Sequence, residues 1–342
     1  MAPFYKLVCE QLGWPVDAAK LSAMEAANAA KLTELTDTVK NNEENEGESE
    51  VRLAHLARAN FLMRIGEKEK AITAMEETLT KTVALGPKLD LMLSQLRICF
   101  FFHDMALTKT KLEQAKVMLE SGGDWERRNR LKVYEALFLM HVRDFKGASK
   151  LLLDSVSTFT ATELVSYNNF IFYTVVSCLV ALPRKELKKK VVDAPEILQV
   201  IHEIPHASPL LEGLYHCRYR ELMRALVATV DVMLGDRCLF EHARYYYREM
   251  RVMAYTQYME SYRSVSLASM AESFGVSPQY IDKELSGFIS SGRLSCKIDA
   301  VEGVVNSTRP DAKSGQYLAT IKQGDLLLNR VQKLSRVINL DI

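Results

Sequence analysis

The most overt catalytic pattern in this 342-residue chain is His202-Glu203-Ile204-Pro205-His206. An H-E-x-x-H metalloprotease needs both imidazoles on one face of an unbroken helix, where they hold zinc while the glutamate activates a bound water. Pro205 lies inside that turn, where it deletes a backbone hydrogen bond and clashes with the carbonyl four residues back. With Pro209 close behind, the segment reads as a turn, and no metal is expected there. No Gly-x-x-x-x-Gly-Lys-Ser/Thr phosphate loop, Gly-x-Gly-x-x-Gly fingerprint or nucleophile elbow occurs. The six cysteines, at 9, 99, 178, 217, 238 and 296, never form a Cys-x-x-Cys pair. None sits in a local setting that would lower its pKa, so they read as reduced thiols packing as small apolar side chains. Cys–His catalysis stays open on composition alone, since seven histidines are present. No catalytic, cofactor-binding or metal-binding residue is assigned, no cofactor is expected, and the chain reads as a non-enzyme.

The totals set the frame for that reading. Apolar residues make up 48% and charged residues 25%, the ordinary globular range. Lys plus Arg total 44 against 43 for Asp plus Glu, a net +1 that provides no global field for gripping nucleic acid or an anionic membrane. Nine prolines and 15 glycines are too few for an all-β protein rich in tight turns. Lys6, Glu10 and Gln11 interrupt the stretch where a signal peptide needs an unbroken apolar run. The most apolar segment, Phe170 to Leu182, is too short to span a bilayer. A helical, soluble, intracellular protein is expected.

The first half reads as consecutive amphipathic helices. Ala59, Leu62, Gly66, Ala71 and Met75 follow the spacing of a tetratricopeptide helix pair, with Gly66 at the turn and Ala71 allowing close approach. Related patterns recur at Ala115 and Leu119 and at Ala136, Leu139, Ala148 and Leu152. Steps of 44 (71 to 115) and 33 (115 to 148) mark the repeats as degenerate. Asn41 to Glu50, with five glutamates and no base, reads as a solvated loop or frayed helix end. Gly122-Gly123-Asp124 stops one helix and caps the next. The run Arg184 to Lys190 reads as a solvated basic face. Tyr247, Met250, Tyr258, Tyr262 and Val265 form the core stripe of a long helix from Tyr245 to Leu267.

The texture then changes. A short helix from Ser266 to Phe274 closes on Gly275, and Ser277-Pro278 supplies an N-cap and a first-turn proline. The second helix has a core face at Ile281, Leu285, Phe288 and Ile289, and ends at Gly292. Leu294, Cys296 and Ile298 alternate as a strand, a turn falls near Glu302-Gly303, and Val304 to Ser307 is a second strand. Helix, turn, helix and β-hairpin make a winged helix. A last helix, from about Tyr317 to Asn339, carries an apolar seam at Leu327, Val331, Leu334 and Ile338, spaced 4, 3 and 4. No matching seam remains in the chain, so this helix is expected to pack on another subunit. The expected organisation is mainly α: TPR-like helical repeats over 1–145, a second helical domain over 146–312 that ends in the winged helix at 264–312, and an assembly helix over 313–342.

A helical-repeat array running into a winged helix resembles the PCI family, named for proteasome lid, signalosome and initiation-factor subunits. The segments Phe274-Gly275-Val276, Gly292-Arg293-Leu294, Cys296-Lys297-Ile298-Asp299 and Gly324 to Ile338 carry the resemblance, with Gly123 to Tyr134 and Asp154 to Thr160 upstream. They point to its proteasome-lid branch. The resemblance implies a structural role in the lid, in the cytoplasm and nucleus, with winged helices joined side by side and C-terminal helices gathered in a bundle. Other lid subunits, and possibly the base ATPases, are the implied partners, while the lid's metalloprotease activity belongs to a different subunit. Leu327, Val331, Leu334 and Ile338, with Leu294 and Ile298 of the winged helix, are the candidate partner-binding residues. In that branch a further helical segment precedes the position matching Met1. The nearest rival is the paralogous first subunit of the COP9 signalosome, against which the run from Gly324 to Ile338 argues.

A winged helix that reads DNA is the rival from another class, and a hydrolase built on His202 and His206 the most distant one. A DNA reader presents Lys and Arg along its second helix and wing. From Ser264 to Pro310 the bases are Lys283, Arg293, Lys297 and Arg309, against the acids Glu272, Asp282, Glu284, Asp299 and Glu302. This module is built for protein contact, and neither nucleic acid nor membrane is an expected partner. Duplex DNA should therefore be bound no more tightly than the roughly 10⁻⁴–10⁻⁶ M of non-specific complexes at physiological salt. A nanomolar, sequence-selective gel shift would overturn that expectation.

Overall fold

The computed structural model describes residues 2–307 and 312–340. It divides into two compact units, one of residues 1–204 with 236–242, the other of 205–235 with 243–342. The first unit contains α1 (Ala2–Leu12), α2 (Ala18–Asn45), α3 (Glu48–Ile65), α4 (Lys68–Lys81), α5 (Leu85–Phe101) and α6 (Met105–Glu120). It continues with α7 (Trp125–His141), α8 (Phe145–Ser155), α9 (Tyr167–Ala181), α10 (Arg184–Leu187) and α11 (Pro195–Val200). The mainly helical class, repeats and then a winged helix, is the one the sequence predicts.

One turn recurs through the repeats. After α3, Gly66 takes a left-handed backbone (φ 86°), its N–H bonding Met63 O at 3.1 Å while Glu67 N–H bonds Leu62 O at 3.3 Å. This pair of bonds is a Schellman motif, which caps the last carbonyls of a helix. After α5, His103 (φ 57°) bonds Phe100 O and Asp104 bonds Cys99 O. After α7, Arg143 (φ 69°) bonds Met140 O and Asp144 bonds Leu139 O. Asp104 and Asp144 then cap the following helices, accepting from Leu107 N and Gly147 N at 3.0 Å. One residue pair thus ends a helix and starts the next.

These turns correct the repeat register. They fall at 66, 103 and 143, in steps of 37 and 40. Ala71 and Ala148 each lie five residues after the left-handed residue and are fully buried. The counterpart in the middle hairpin is Thr108, also buried, its hydroxyl donating to Asp104 O at 2.6 Å. Ala115 lies two helical turns further along the same buried face, so counting from it produced the uneven spacing. Ala59, Leu62, Ala71 and Met75 form one core cluster with Ala74, Ile65 and Ile98, as the helix-pair reading expects.

Other expectations shift in detail. The acidic stretch 41–50 is mostly helical, broken only at Glu46-Gly47, and Glu43 reaches the buried His55 at 3.0 Å. Asp124 occupies an N-cap position without a side-chain cap bond, and its carboxylate lies 3.6 Å from Arg127. The basic run stays a solvated face: Leu187 and Val191 are buried and its lysines exposed, with Lys190 paired to Glu186 at 3.0 Å. Every residue from Phe170 to Leu179 in α9 is buried, as a helix apolar all round must be. Among the described residues, no helix is long and apolar enough to cross a membrane. A boundary at 145 falls inside the α7–α8 hairpin, whose residues Ala136, Met140, Ala148 and Leu152 are all buried, so the first compact unit continues past it.

The second unit contains α12 (Ala207–Tyr215), α13 (Tyr219–Leu234), α14 (Ala243–Glu260), α15 (Leu267–Phe274), α16 (Pro278–Ser290) and α17 (Ala312–Leu340). Its strands are β1 (Ser264–Ser266), β2 (Cys296–Asp299) and β3 (Val304–Ser307). The α12–α13 hairpin repeats the same turn at Cys217 (φ 59°). Its helices meet at Gly213, where an added Cβ would lie 3.1 Å from the Leu222 backbone. The winged helix forms as the sequence predicts: Ser277 caps α16 through Tyr280 N, Pro278 opens it, and Ile281, Leu285 and Phe288 are buried. The long aromatic helix is shorter than its stripe. α14 ends at Glu260, Tyr262 is half exposed, and Val265 lies in β1, which pairs with β3 to give a three-stranded sheet ordered β1-β3-β2.

A polar network fastens α14 to α16. Arg251 pairs with Glu284, both side chains nearly buried, and donates to Tyr280 Oη at 2.8 Å. Tyr255 Oη donates to the other Glu284 oxygen at 2.8 Å. Tyr255 also packs on Phe274 at 4.9 Å between ring centroids, so the network borders the aromatic core. Removing one member of a buried ion pair strands the other charge, at a cost of about 3–5 kcal/mol. Glu284→Ala should lower the unfolding free energy measured in urea, and with it the midpoint, by that order of energy, and Glu284→Gln, which still accepts from Tyr255, by less. Equal midpoints for the two variants would show that the charge of Glu284 carries the whole effect and its hydrogen bond to Tyr255 none of it.

Candidate protein-docking interface

α17 is the element most unlike the rest of the fold. Every described side chain from 314 to 338 is exposed, including Leu327 at 66%, Val331 at 57%, Leu334 at 60% and Ile338 at 51%. The four lie on one stripe of a 29-residue helix, and Ile321 and Leu328 add exposed apolar surface. Single exposed apolar residues are normal, whereas a continuous stripe along a helix marks a contact surface. The structure therefore places these candidates together and available.

The two winged-helix candidates fare differently. Leu294 is 5% exposed, in the bend between α16 and β2, so its side chain packs within the module and is not offered to a partner, which corrects its assignment as a partner contact. Ile298, on β2, is half buried.

A feature of the second unit escaped the sequence reading. Arg244, Arg248 and Arg251 on α14 line a groove of about 770 Å³ with Lys283 on α16 and Arg293 just beyond it. Glu284 neutralises Arg251, and Glu249 serves both Arg248 and Arg293. Arg244 and Lys283 have no carboxylate partner among the described residues. The groove is thus positive and suited to acidic side chains of a partner. The signal was present as an i, i+4, i+7 arginine row on α14, but the charge count began at Ser264 and left those arginines out.

The chemistry weighed from sequence also finds its place. Residues 201–206 form a run of turns, with His206 in the left-handed region (φ 61°), so the H-E-x-x-H pattern lacks the helix that its chemistry requires. Burial pushes the thiols of Cys99 and Cys296 above the ordinary range, Cys178 to about 12 and Cys238 to about 11. Such groups stay protonated near neutral pH and make poor nucleophiles.

Helical hairpins leading into a winged helix define a PCI-domain protein, and the PCI domain model matches residues 227–309. The chain belongs to the family described as 26S proteasome subunit RPN7, whose model matches residues 17–190. A model described as the RPN7/PSMD6 C-terminal helix matches residues 316–338, the exposed part of α17. An Arabidopsis thaliana protein named 26S proteasome non-ATPase regulatory subunit 6 homolog is 50% identical over 340 residues, 99% of this chain and 88% of its own. The Dictyostelium discoideum 26S proteasome non-ATPase regulatory subunit 6 is 47% identical, covering 99% and 89%. The Saccharomyces cerevisiae 26S proteasome regulatory subunit RPN7 is 38% identical, covering 99% and 85%.

Because α17 offers its side chains to solvent, its loss should leave the remaining fold intact. Truncation after residue 311 is expected to change the unfolding free energy measured in urea by no more than the roughly 0.5 kcal/mol of an ordinary surface change. A large drop in midpoint would mean that α17 supports the core of its own chain.

Proposed function

We propose that this chain is a non-catalytic scaffold subunit of the regulatory lid of the 26S proteasome. In that role it supports ubiquitin-dependent protein degradation by holding other lid subunits in place. The observation that carries the reading is the exposed seam of α17 at Leu327, Val331, Leu334 and Ile338, in a segment matched by a family model of its own. The seam docks into a bundle of helices from lid partners. The winged helix meets neighbouring PCI modules, with Ile298 and the basic groove of α14 and α16 on its surface, and the helical hairpins face the base ATPases. The complex operates in the cytoplasm and nucleus. The signalosome alternative is not favoured, since the family models and relatives are those of the proteasome subunit.

Burying a leucine or isoleucine side chain stabilises by about 1.5–3 kcal/mol, so four such residues decide whether the subunit is retained. Leu334→Asp places an unpaired charge in that contact, at a cost of several kcal/mol. The isolated variant should show unchanged helicity by circular dichroism. In cells carrying only the variant, native gels should show lid complexes without it. Normal incorporation would mean that the seam contributes nothing to assembly, and lost helicity in the isolated chain would mean that α17 belongs to the chain's own core.

A further inference from the structure

Three side chains in the first unit converge from separate segments. His103 sits at the α5–α6 turn, His141 at the end of α7, and Glu241 in the segment 236–242 that folds with this unit. Their potential ligand atoms all lie within 4.8 Å of one another. His103 Nε2 is 3.4 Å from Glu241 Oε1, and His141 Nε2 is 3.6 Å from Glu241 Oε2. Both distances exceed a normal N–H···O bond. They match instead the spacing of about 3.3 Å between neighbouring ligands that each lie about 2.0–2.1 Å from a tetrahedral zinc ion.

Further observations point the same way. His103 occupies the left-handed position that Gly66 fills two helices earlier, a backbone conformation uncommon for a residue with a side chain. That placement aims the imidazole off the end of the hairpin, and the His103 and His141 rings stand edge to face with centroids 4.4 Å apart. His242, almost fully buried, packs its ring 5.6 Å from His141. It accepts Arg143 Nε–H at Nδ1 (3.0 Å), which holds the ring in place beside His141. His103 and Glu241 are exposed, so an ion reaches the cluster directly from solvent.

We infer that His103, His141 and Glu241 form a binding site for one borderline divalent transition ion, zinc foremost, that clips segment 236–242 to the α5 and α7 hairpin ends. Two imidazoles and a carboxylate are a donor set suited to zinc, with the remaining position left to water. The segment already has anchors: Tyr173 Oη donates to Asp236 at 2.7 Å, and Arg237 donates to the carbonyls of Phe100 and Phe101. The ion adds a third, at the far end of the segment. It has no catalytic part in this reading.

The test uses the full chain, stripped of metal with a chelator and titrated with Zn²⁺ against a chromophoric competitor. One zinc per chain is expected, with affinity at least tenfold weaker in Glu241→Gln and in His103→Ala, and unchanged in His202→Ala. Circular dichroism confirms that each variant is folded, and the near-isosteric Glu241→Gln keeps the test valid should His103→Ala unfold. Zinc should also slow tryptic cleavage after Arg237 in the wild type but not in Glu241→Gln. Absence of stoichiometric binding, binding that survives Glu241→Gln, or binding lost in His202→Ala would each overturn the assignment.

Discussion

The hairpins of this protein depend on a single backbone device, a residue in the left-handed region followed by one that caps the next helix. Two crossed hydrogen bonds satisfy the carbonyls that a helix end leaves unpaired, and after α5 and α7 the following aspartate also satisfies an amide group of the next helix. No spare residues remain in the connection, so the two helices are held antiparallel and in fixed register. That register delivers Ala71 and Ala148 to the closest approach between helices. It also sets where each left-handed side chain points, which is how His103 comes to stand opposite Glu241. A change at such a turn acts on both helices, since ending one and starting the other are the same event.

Much of this was legible from residue types because periodicity and capping are local. Ser277-Pro278, the face at Ile281, Leu285 and Phe288, and the turn at Gly303 declare themselves within a few residues. The hairpin turns after α5 and α7 were harder to read, because histidine and arginine fill a position where glycine is the usual signal. Alanines were counted in place of turns, and a buried threonine at 108 broke the series. β1 was hidden for a related reason: three residues following a long helix pattern become a strand only because β3 offers its edge. The positive groove and the His–His–Glu cluster depend on residues brought together by tertiary packing, and 138 positions separate His103 from Glu241 (241 − 103). Pattern reading along the chain does not reach that far.

The winged helix illustrates how one module can serve two purposes. Its Phe274 stacks on Tyr219 of α13 at 4.8 Å and packs on Tyr255 of α14 at 4.9 Å, so the module shares one aromatic core with the helices before it. The Arg251–Glu284 pair at the edge of that core fixes α16 against α14, and in doing so holds Arg244, Arg248 and Lys283 around one groove. The groove is thereby built on a rigid support, where an ordering cost on binding would be small. Leu294 belongs to the support and not to the contact.

The buried thiols have a use that follows from their burial alone. Cys178 lies in the all-round apolar α9 and Cys296 in the sheet of the winged helix, both shielded and both held protonated. A thiol-specific label can reach either one only when its neighbourhood opens, so the labelling rate measures the free energy of that opening. One chain thus carries two internal clocks, the first timing excursions of the helical hairpins and the second those of the winged helix. Comparing them before and after partners are added would reveal which part of the fold assembly makes rigid, with no new cysteine placed in the chain.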